Sequence, residues 1–267
     1  MIILELLIVG TLIGSFSALL GLGGGILMVP ALTLIFHLPI RTAVGTSLVG
    51  IIAASAGSAF MEKKDREGDF RLALRLEVAT TAGAVLGSVL AGYVSEKMIE
   101  ITFAFVALFT AIYMVYKSSR PKHLSIPDDT GDQNAVESLF YQNYQPRHWL
   151  AGLSMASVTG AISGLLGVSG GFIKVPVMYS IMEVPLGIAT TTSSIMVGIT
   201  AAASVFIYYM RGDIHPLVAI PISIGVFSGA LVGNFLLPHA RVTWLRAGLV
   251  GLLMLMCGQM IMKAAGA

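Results

Sequence analysis

The chain has 267 residues, 56% of them hydrophobic and only 11% charged, whereas soluble domains carry about a quarter charged residues. Sixteen Lys+Arg and 14 Asp+Glu leave a net charge of +2. That is too few groups for the polar skin of a soluble globule and too even a balance for a nucleic-acid partner. A polytopic membrane protein is the class that remains. The single cysteine, Cys257, excludes an internal disulfide and any multi-cysteine metal site. His37, His123, His148, His215 and His239 have neither close spacing nor an acidic cluster, so no metal is expected. No Walker lysine motif is present, and no cofactor is expected.

A spanning helix needs about 20 mostly apolar residues. In chain order the first candidates are Ile2–Leu20, Ala43–Phe60, Leu72–Val94 and Ile99–Tyr116. The first holds only Glu5 and lacks a basic start, so it reads as a retained helix rather than a signal peptide. Residues 118–147 are polar, with Pro, Asp, Asn and Gln, and form a linker on the cytoplasmic side with one short helix near Ala135–Tyr141. Trp149–Leu166, Ile188–Met210, Pro216–Leu237 and Thr243–Met262 follow. Two further apolar pieces, Ile26–Phe36 and Phe172–Met182, begin just after glycine clusters. At about 1.5 Å per residue each reaches half of the hydrocarbon layer. Tyr113, Tyr116, Tyr208, Tyr209, Trp149 and Trp244 lie near predicted helix ends and read as an interfacial belt.

The two sets of segments are copies of each other. Residues Gly14–Leu48 align without a gap onto Gly160–Ser194, 146 positions on, and 14 of the 35 pairs are identical. Gly21/Gly167, Gly24/Gly170, Gly25/Gly171, Pro30/Pro176, Pro39/Pro185, Thr46/Thr192 and Ser47/Ser193 are among them. Shared apolar composition produces scattered Leu and Val identities, not glycine, proline and hydroxyl residues in register. The expected fold is therefore all-α, with two homologous repeats, residues 1–117 and 148–267. Each repeat has four long helices plus one short half-helix behind a Gly-rich break. Interrupted segments at matching places in two halves mark the binding site of secondary transporters. Either arrangement of the repeats puts 11 Lys and Arg outside the motif helices on the cytoplasmic side against 4 on the other. Charge does not separate inverted from parallel repeats; the uncharged start of the chain favours inverted ones.

The candidate binding residues follow from these breaks. Gly21, Gly23, Gly24 and Gly25, with Gly167, Ser169, Gly170 and Gly171, allow sharp turns and close backbone approach. They open short helices whose free N–H groups suit an anion. The plainer role for these glycines is close helix packing. Pro30 and Pro176 shorten or kink the short helices. Thr46, Ser47, Thr192 and Ser193 offer hydroxyls to an anion without a charge's desolvation cost, or bond to the preceding helical turn. Lys174 lies three residues past Gly171, where the other repeat has Met28, and either holds the anion or snorkels to the interface. Arg41 guides anions at an entrance or, more simply, anchors at the interface. Glu77, His37 and Glu183 are the candidate proton carriers; an interfacial group in water is the plainer reading of each. Gly83/Gly87 and Gly229/Gly233 suit close packing within one chain or between two copies in a homodimer.

The paired elements GLGGGILMVPAL and RTAVGTSL (Gly21–Leu32, Arg41–Leu48), with GVSGGFIKVPVM and ATTTSS (Gly167–Met178, Ala189–Ser194), resemble the sulfite exporter TauE/SafE family. The resemblance covers essentially the whole chain. It implies a non-enzymatic secondary transporter of the cell inner (plasma) membrane. The implied substrate is a small sulfur-containing anion such as sulfite or an organosulfonate, usually exported. An anion channel, or a non-transport membrane subunit of sulfur metabolism, is the alternative.

Overall fold

The computed structural model describes residues 2–20, 24–61, 69–118 and 146–236, and separate positions between 248 and 262. The expected linker falls almost wholly outside them, as do Gly21, Gly23, Cys257, Trp244 and the side chains of Tyr113 and Tyr116. The elements are α1 (Ile2–Leu20), α2 (Gly25–Leu34), α3 (Ile40–Met61), α4 (Phe70–Tyr93), α5 (Glu96–Ser118), α6 (Trp149–Leu166), α7 (Gly171–Ser180), α8 (Leu186–Met210) and α9 (Pro216–Leu236). The protein is all-helical over the described residues. Five helices there are long and apolar enough to cross a membrane: Ile40–Phe60, Phe70–Tyr93, Trp149–Leu166, Ile188–Met210 and Pro216–Leu236. Both short elements are ten-residue helices, α2 and α7, and carry Pro30 and Pro176 inside them.

Local chemistry fixes several boundaries. Asp69 caps α4, its Oδ1 accepting from the N–H groups of Arg71 and Leu72, each at 2.9 Å. Pro39 supplies the carbonyl for the first turn of α3, bonded by Ala43 N–H at 3.0 Å. That helix therefore starts three residues before its apolar stretch and takes Arg41 with it.

The helices expose large apolar side chains outward as well as burying them, unlike those of a soluble protein. In α4 the buried face opens with Leu72 and Leu76 and from there onward carries Glu77, Thr80, Gly83, Ala84, Gly87, Ser88 and Ala91. The opposite face exposes Leu74, Val78, Leu86 and Leu90. Small and hydroxyl-bearing residues inside, with large apolar ones outside, is the pattern for helices whose outer solvent is lipid. Dispersion and close backbone contact then hold the bundle, because lipid-facing Leu gains nothing from burial.

That contact is made by glycine in two helix pairs. Gly225, Gly229 and Gly233 of α9 lie on the carbonyl oxygens of Leu7, Thr11 and Ser15 of α1. Ser15 also donates to the Gly229 carbonyl at 3.0 Å. Gly83 and Gly87 of α4 lie on the carbonyls of Ser157 and Ala161 of α6, and Gly160 and Gly164 return the contact on Thr80 and Ala84. The Gly83/Gly87 and Gly229/Gly233 pairs thus pack within the chain.

The contacts also give helix directions. Residue numbers rise together along α1 and α9, and along α4 and α6, so each pair runs parallel. Asp69 to Thr192, Glu77 to Thr200 and Ser88 to Arg211 make α4 parallel to α8. Gly50 beside Val226 and Gly57 beside Ala230 make α3 parallel to α9. Between α3 and α8 the order reverses, since Ser55 Oγ donates to the Ser194 carbonyl at 2.9 Å while Gly45 sits beside Tyr208. Thus α1, α3 and α9 run one way, and α4, α6 and α8 the other.

Gly160→Val should separate α4 from α6, because its side chain would occupy the place of the Thr80 carbonyl. Overpacking typically costs about 1–3 kcal/mol, and here the obstructing atoms are backbone. The purified variant should show a lower thermal unfolding midpoint in detergent. Gly251→Ala, with nothing among the described residues within 4 Å of the added carbon, is the control and should melt with the wild type. Equal midpoints for all three proteins would remove the close-contact account.

Candidate functional site

The second glycine break is visible in full. Helix α6 ends at Leu166, Gly167 takes the left-handed region at φ 65°, and α7 opens at Gly171. A break frees carbonyl groups that lipid cannot satisfy. Neighbouring hydroxyls satisfy these: Ser163 donates to Val168 O at 2.6 Å, and Tyr208 to Gly164 O at 3.0 Å and Leu165 O at 3.2 Å. Ser47 of α3 donates to Gly167 O at 2.8 Å. Tyr208 is fully buried. The interfacial reading of this residue is therefore corrected: its hydroxyl anchors the break.

At the first break Gly24 has φ 79°, and its carbonyl accepts from Leu27 and Met28 N–H, each at 3.1 Å. Gly25, opening α2, packs directly on the Gly167 carbonyl and on Val168, leaving no room for a side chain. The start of one short helix thus abuts the break that precedes the other.

One turn into α7 stands Lys174, its N–H bonded to Gly170 O at 2.9 Å. Among the described residues it is the one Lys or Arg that is fully buried, with 3% of its surface exposed. Its Nζ donates to Thr200 Oγ1 of α8 at 2.9 Å. Thr200 in turn lies 2.6 Å from Glu77 Oε1 of α4, and Thr81 donates to that oxygen at 3.0 Å. Glu77 Oε2 is 3.7 Å from Lys174 Nζ, an ion pair without a direct hydrogen bond. This oxygen is buried and has no hydrogen-bond partner among the described residues. A cavity of about 10 Å3 adjoins the lysine, lined by Leu76, Ala156, Thr159, Val177 and Met196 among others; that is about the space of one water. Both expectations of an interfacial group fail here. Lys174 does not snorkel and Glu77 does not sit in water, because each is drawn inward by the other.

The remaining candidates do not converge on this cluster. Thr192 accepts from Asp69 N–H at 3.2 Å and so ties α8 to the start of α4. Thr46 is buried and its hydroxyl has no partner among the described residues. Ser169 and Ser193 are buried. His37 and Glu183 occupy the aligned loop position with matching left-handed backbone, φ 54° and 56°. Both are exposed, and Glu183 pairs with Arg147 at 3.3 Å. Arg41 donates to the Val94 carbonyl at 2.8 Å, holding the loop after α4. No group of three or more His, Cys, Asp or Glu comes together among the described residues.

Thr200 and Thr81 were not singled out from the sequence. A signal for Thr200 existed in the duplication. Lys174 stands where the other half has Met28, Thr200 where it has Ala54, and Glu77 where it has Pro221. These three replacements of apolar by polar residues meet in space. The mirror position is apolar, with the Met28 sulfur packed on Gly50.

A helical bundle with five helices long and apolar enough to cross a membrane, and apolar side chains on its outer faces, is the architecture of an integral membrane protein. The family model for sulfite exporter TauE/SafE matches residues 6–260, and the chain belongs to that family. It is similar to the probable membrane transporter proteins YunE of Bacillus subtilis and MJ0441 of Methanocaldococcus jannaschii. YunE is 26% identical over 85% of this chain and 86% of its own length. MJ0441 is 26% identical over 94% of each. YdhB of Bacillus subtilis, also a probable membrane transporter protein, is 25% identical over 85% of this chain and 87% of its own. No solved structure gives a significant match.

Removing one partner of a buried pair costs about 3–5 kcal/mol, mostly from the charge left behind. Lys174→Met should therefore lower the unfolding midpoint clearly, although the other half carries Met28 at this place. Lys174→Met combined with Glu77→Gln should regain part of the loss, because no charge is then stranded. A thermal-melt cycle over the two single variants and the double variant measures the coupling. Additive effects would mean that the two groups do not stabilise each other.

Proposed function

We propose that this protein is a secondary transporter exporting a small sulfur-containing anion, such as sulfite or an organosulfonate, across the plasma membrane. The single observation that carries the reading is Lys174, a buried cation one turn into a short helix behind a glycine break. A helix N-terminus has unsatisfied N–H groups and a partial positive charge. The ammonium adds a full one, so an oxyanion would be held from two sides. Thr200, which accepts from the ammonium, fixes the direction in which the remaining Lys174 protons point. Family membership supports the sulfur-anion class.

The two halves act as inverted repeats in this proposal. The support is directional: α1 opposes α6, α3 opposes α8, and α4 opposes α9. Such an arrangement supplies alternating access by rocking one half against the other about a fixed site. Export has a driving force, since an interior-negative 100 mV favours efflux of each net negative charge by about 2.3 kcal/mol.

Proteoliposomes loaded with labelled sulfite, sulfate, sulfoacetate or taurine test the reading. Saturable flux that accelerates with the same anion on the other side is expected for at least one of them. Flux linear in concentration, without exchange, would instead identify a channel; no flux with any anion would end the proposal. Gly170→Val should cut the flux at least tenfold. Its first side-chain carbon would stand 2.7 Å from Thr159 Cγ2 and 3.3 Å from Lys174 Cε, pushing the lysine stem aside.

A further inference from the structure

We infer that Glu77 is an internal competitor for the substrate at Lys174, so that the protein loads one proton with each anion. The inference rests on the reading of Lys174 as the anion's cation and adds the coupling to it. In the structure the ammonium already has a counter-charge, Glu77 Oε2 at 3.7 Å, and both side chains are nearly inaccessible, 2% and 5% exposed. The pair is neutral as a whole. An anion joining it would leave a net negative charge among Leu76, Ala156, Val177 and Met196. A lone buried charge is the most expensive state such a site can hold.

Protonation of Glu77 removes that excess. The carboxylate has an oxygen ready for it: Oε2 makes no hydrogen bond among the described residues, while Oε1 keeps those from Thr200 and Thr81. One proton from water adds to Oε2, the carboxyl becomes neutral, and Lys174 is left without a counter-ion until the anion arrives. On release the proton leaves Oε2 and the ion pair closes again. For a monoanion the site is neutral at both ends of the step: the empty site holds Lys174 with carboxylate, and the loaded site holds Lys174 with anion beside neutral carboxyl.

Among the described residues of the helices that carry and surround the pair, α4, α6, α7 and α8, no other carboxylate is present. Helix α6 contains no titratable side chain. Helix α8 has only Tyr208 and Tyr209, and Tyr208 is committed to the Gly164 and Leu165 carbonyls. On α7 the others are limited to Tyr179. On α4 itself Arg71 lies near the start and Arg75 lies over the Trp149 ring at 5.4 Å. The mirror position has Met28, Ala54 and Pro221, which offer no such pair.

Calorimetric titration of the purified full-length protein, in two buffers of different ionisation enthalpy, counts protons taken up per anion bound. Sulfite and methanesulfonate are the probes, and methanesulfonate keeps one charge state, so the anion itself contributes no proton. Wild type is expected to take up one proton per methanesulfonate bound. Its methanesulfonate affinity should fall about tenfold for each pH unit in the range where Glu77 is deprotonated and Lys174 still charged. Binding of methanesulfonate without proton uptake overturns the coupling and leaves the anion reading standing. Binding of neither probe by wild type overturns the anion reading and the coupling with it.

Discussion

Two charges withdrawn from water stabilise only each other, and the Lys174–Glu77 pair imposes that condition on the helices around it. The lysine comes from a short helix of one half and the carboxylate from a long helix of the other, 97 positions apart by their numbers. They meet only if α4, α6, α7 and α8 pack closely. Glycine at Gly83, Gly87, Gly160 and Gly164 permits this by letting α4 and α6 touch backbone to backbone. The hydroxyls of Thr200 and Thr81 then supply hydrogen bonds that the carboxylate would otherwise lose with its water. A buried pair of this kind is weak evidence for stability, since an apolar replacement is often as good. The mirror position, filled by Met28 and Ala54, is such a replacement within the same chain. In the proposed function the pair serves binding rather than folding.

Much of the helix layout was legible because lipid imposes one rule on every segment. A run of about 20 apolar residues is a helix whatever its partners, and α1 and α6 begin and end where the apolar runs do. Register between helices was not legible. The sequence placed Glu77 eight residues into α4, a depth that suits either interface or core. Its burial is decided by Lys174, which no local pattern brings near. Tyr208 shows the same limit, since a tyrosine near a helix end normally anchors at the headgroups. Here the freed carbonyls of Gly164 and Leu165 offer a better partner inside.

The break at Gly167 explains why hydroxyl residues accompany the glycines. Non-helical backbone inside a membrane requires donors for each carbonyl it releases. Ser47, Ser163 and Tyr208 provide them from three different helices. Ser47 therefore ties the first half to the break of the second. In the proposed rocking of one half against the other, that bond to the Gly167 carbonyl would have to break. Gly25, seated on the same carbonyl, reinforces the link without any side chain.

The proposed coupling changes what drives the cycle. If the anion alone crossed, an interior-negative potential would favour export of a monovalent sulfonate by about 2.3 kcal/mol per 100 mV. A proton travelling on Glu77 cancels that charge. The potential then drops out, and the direction for a monoanion depends on the product of the anion and proton gradients. A divalent anion such as sulfite retains one uncompensated charge beside the same proton, and the potential still favours its export by that amount. Under this proposal the proton offsets one charge of either anion, so a membrane potential would accelerate efflux of a dianion and leave that of a monoanion unchanged.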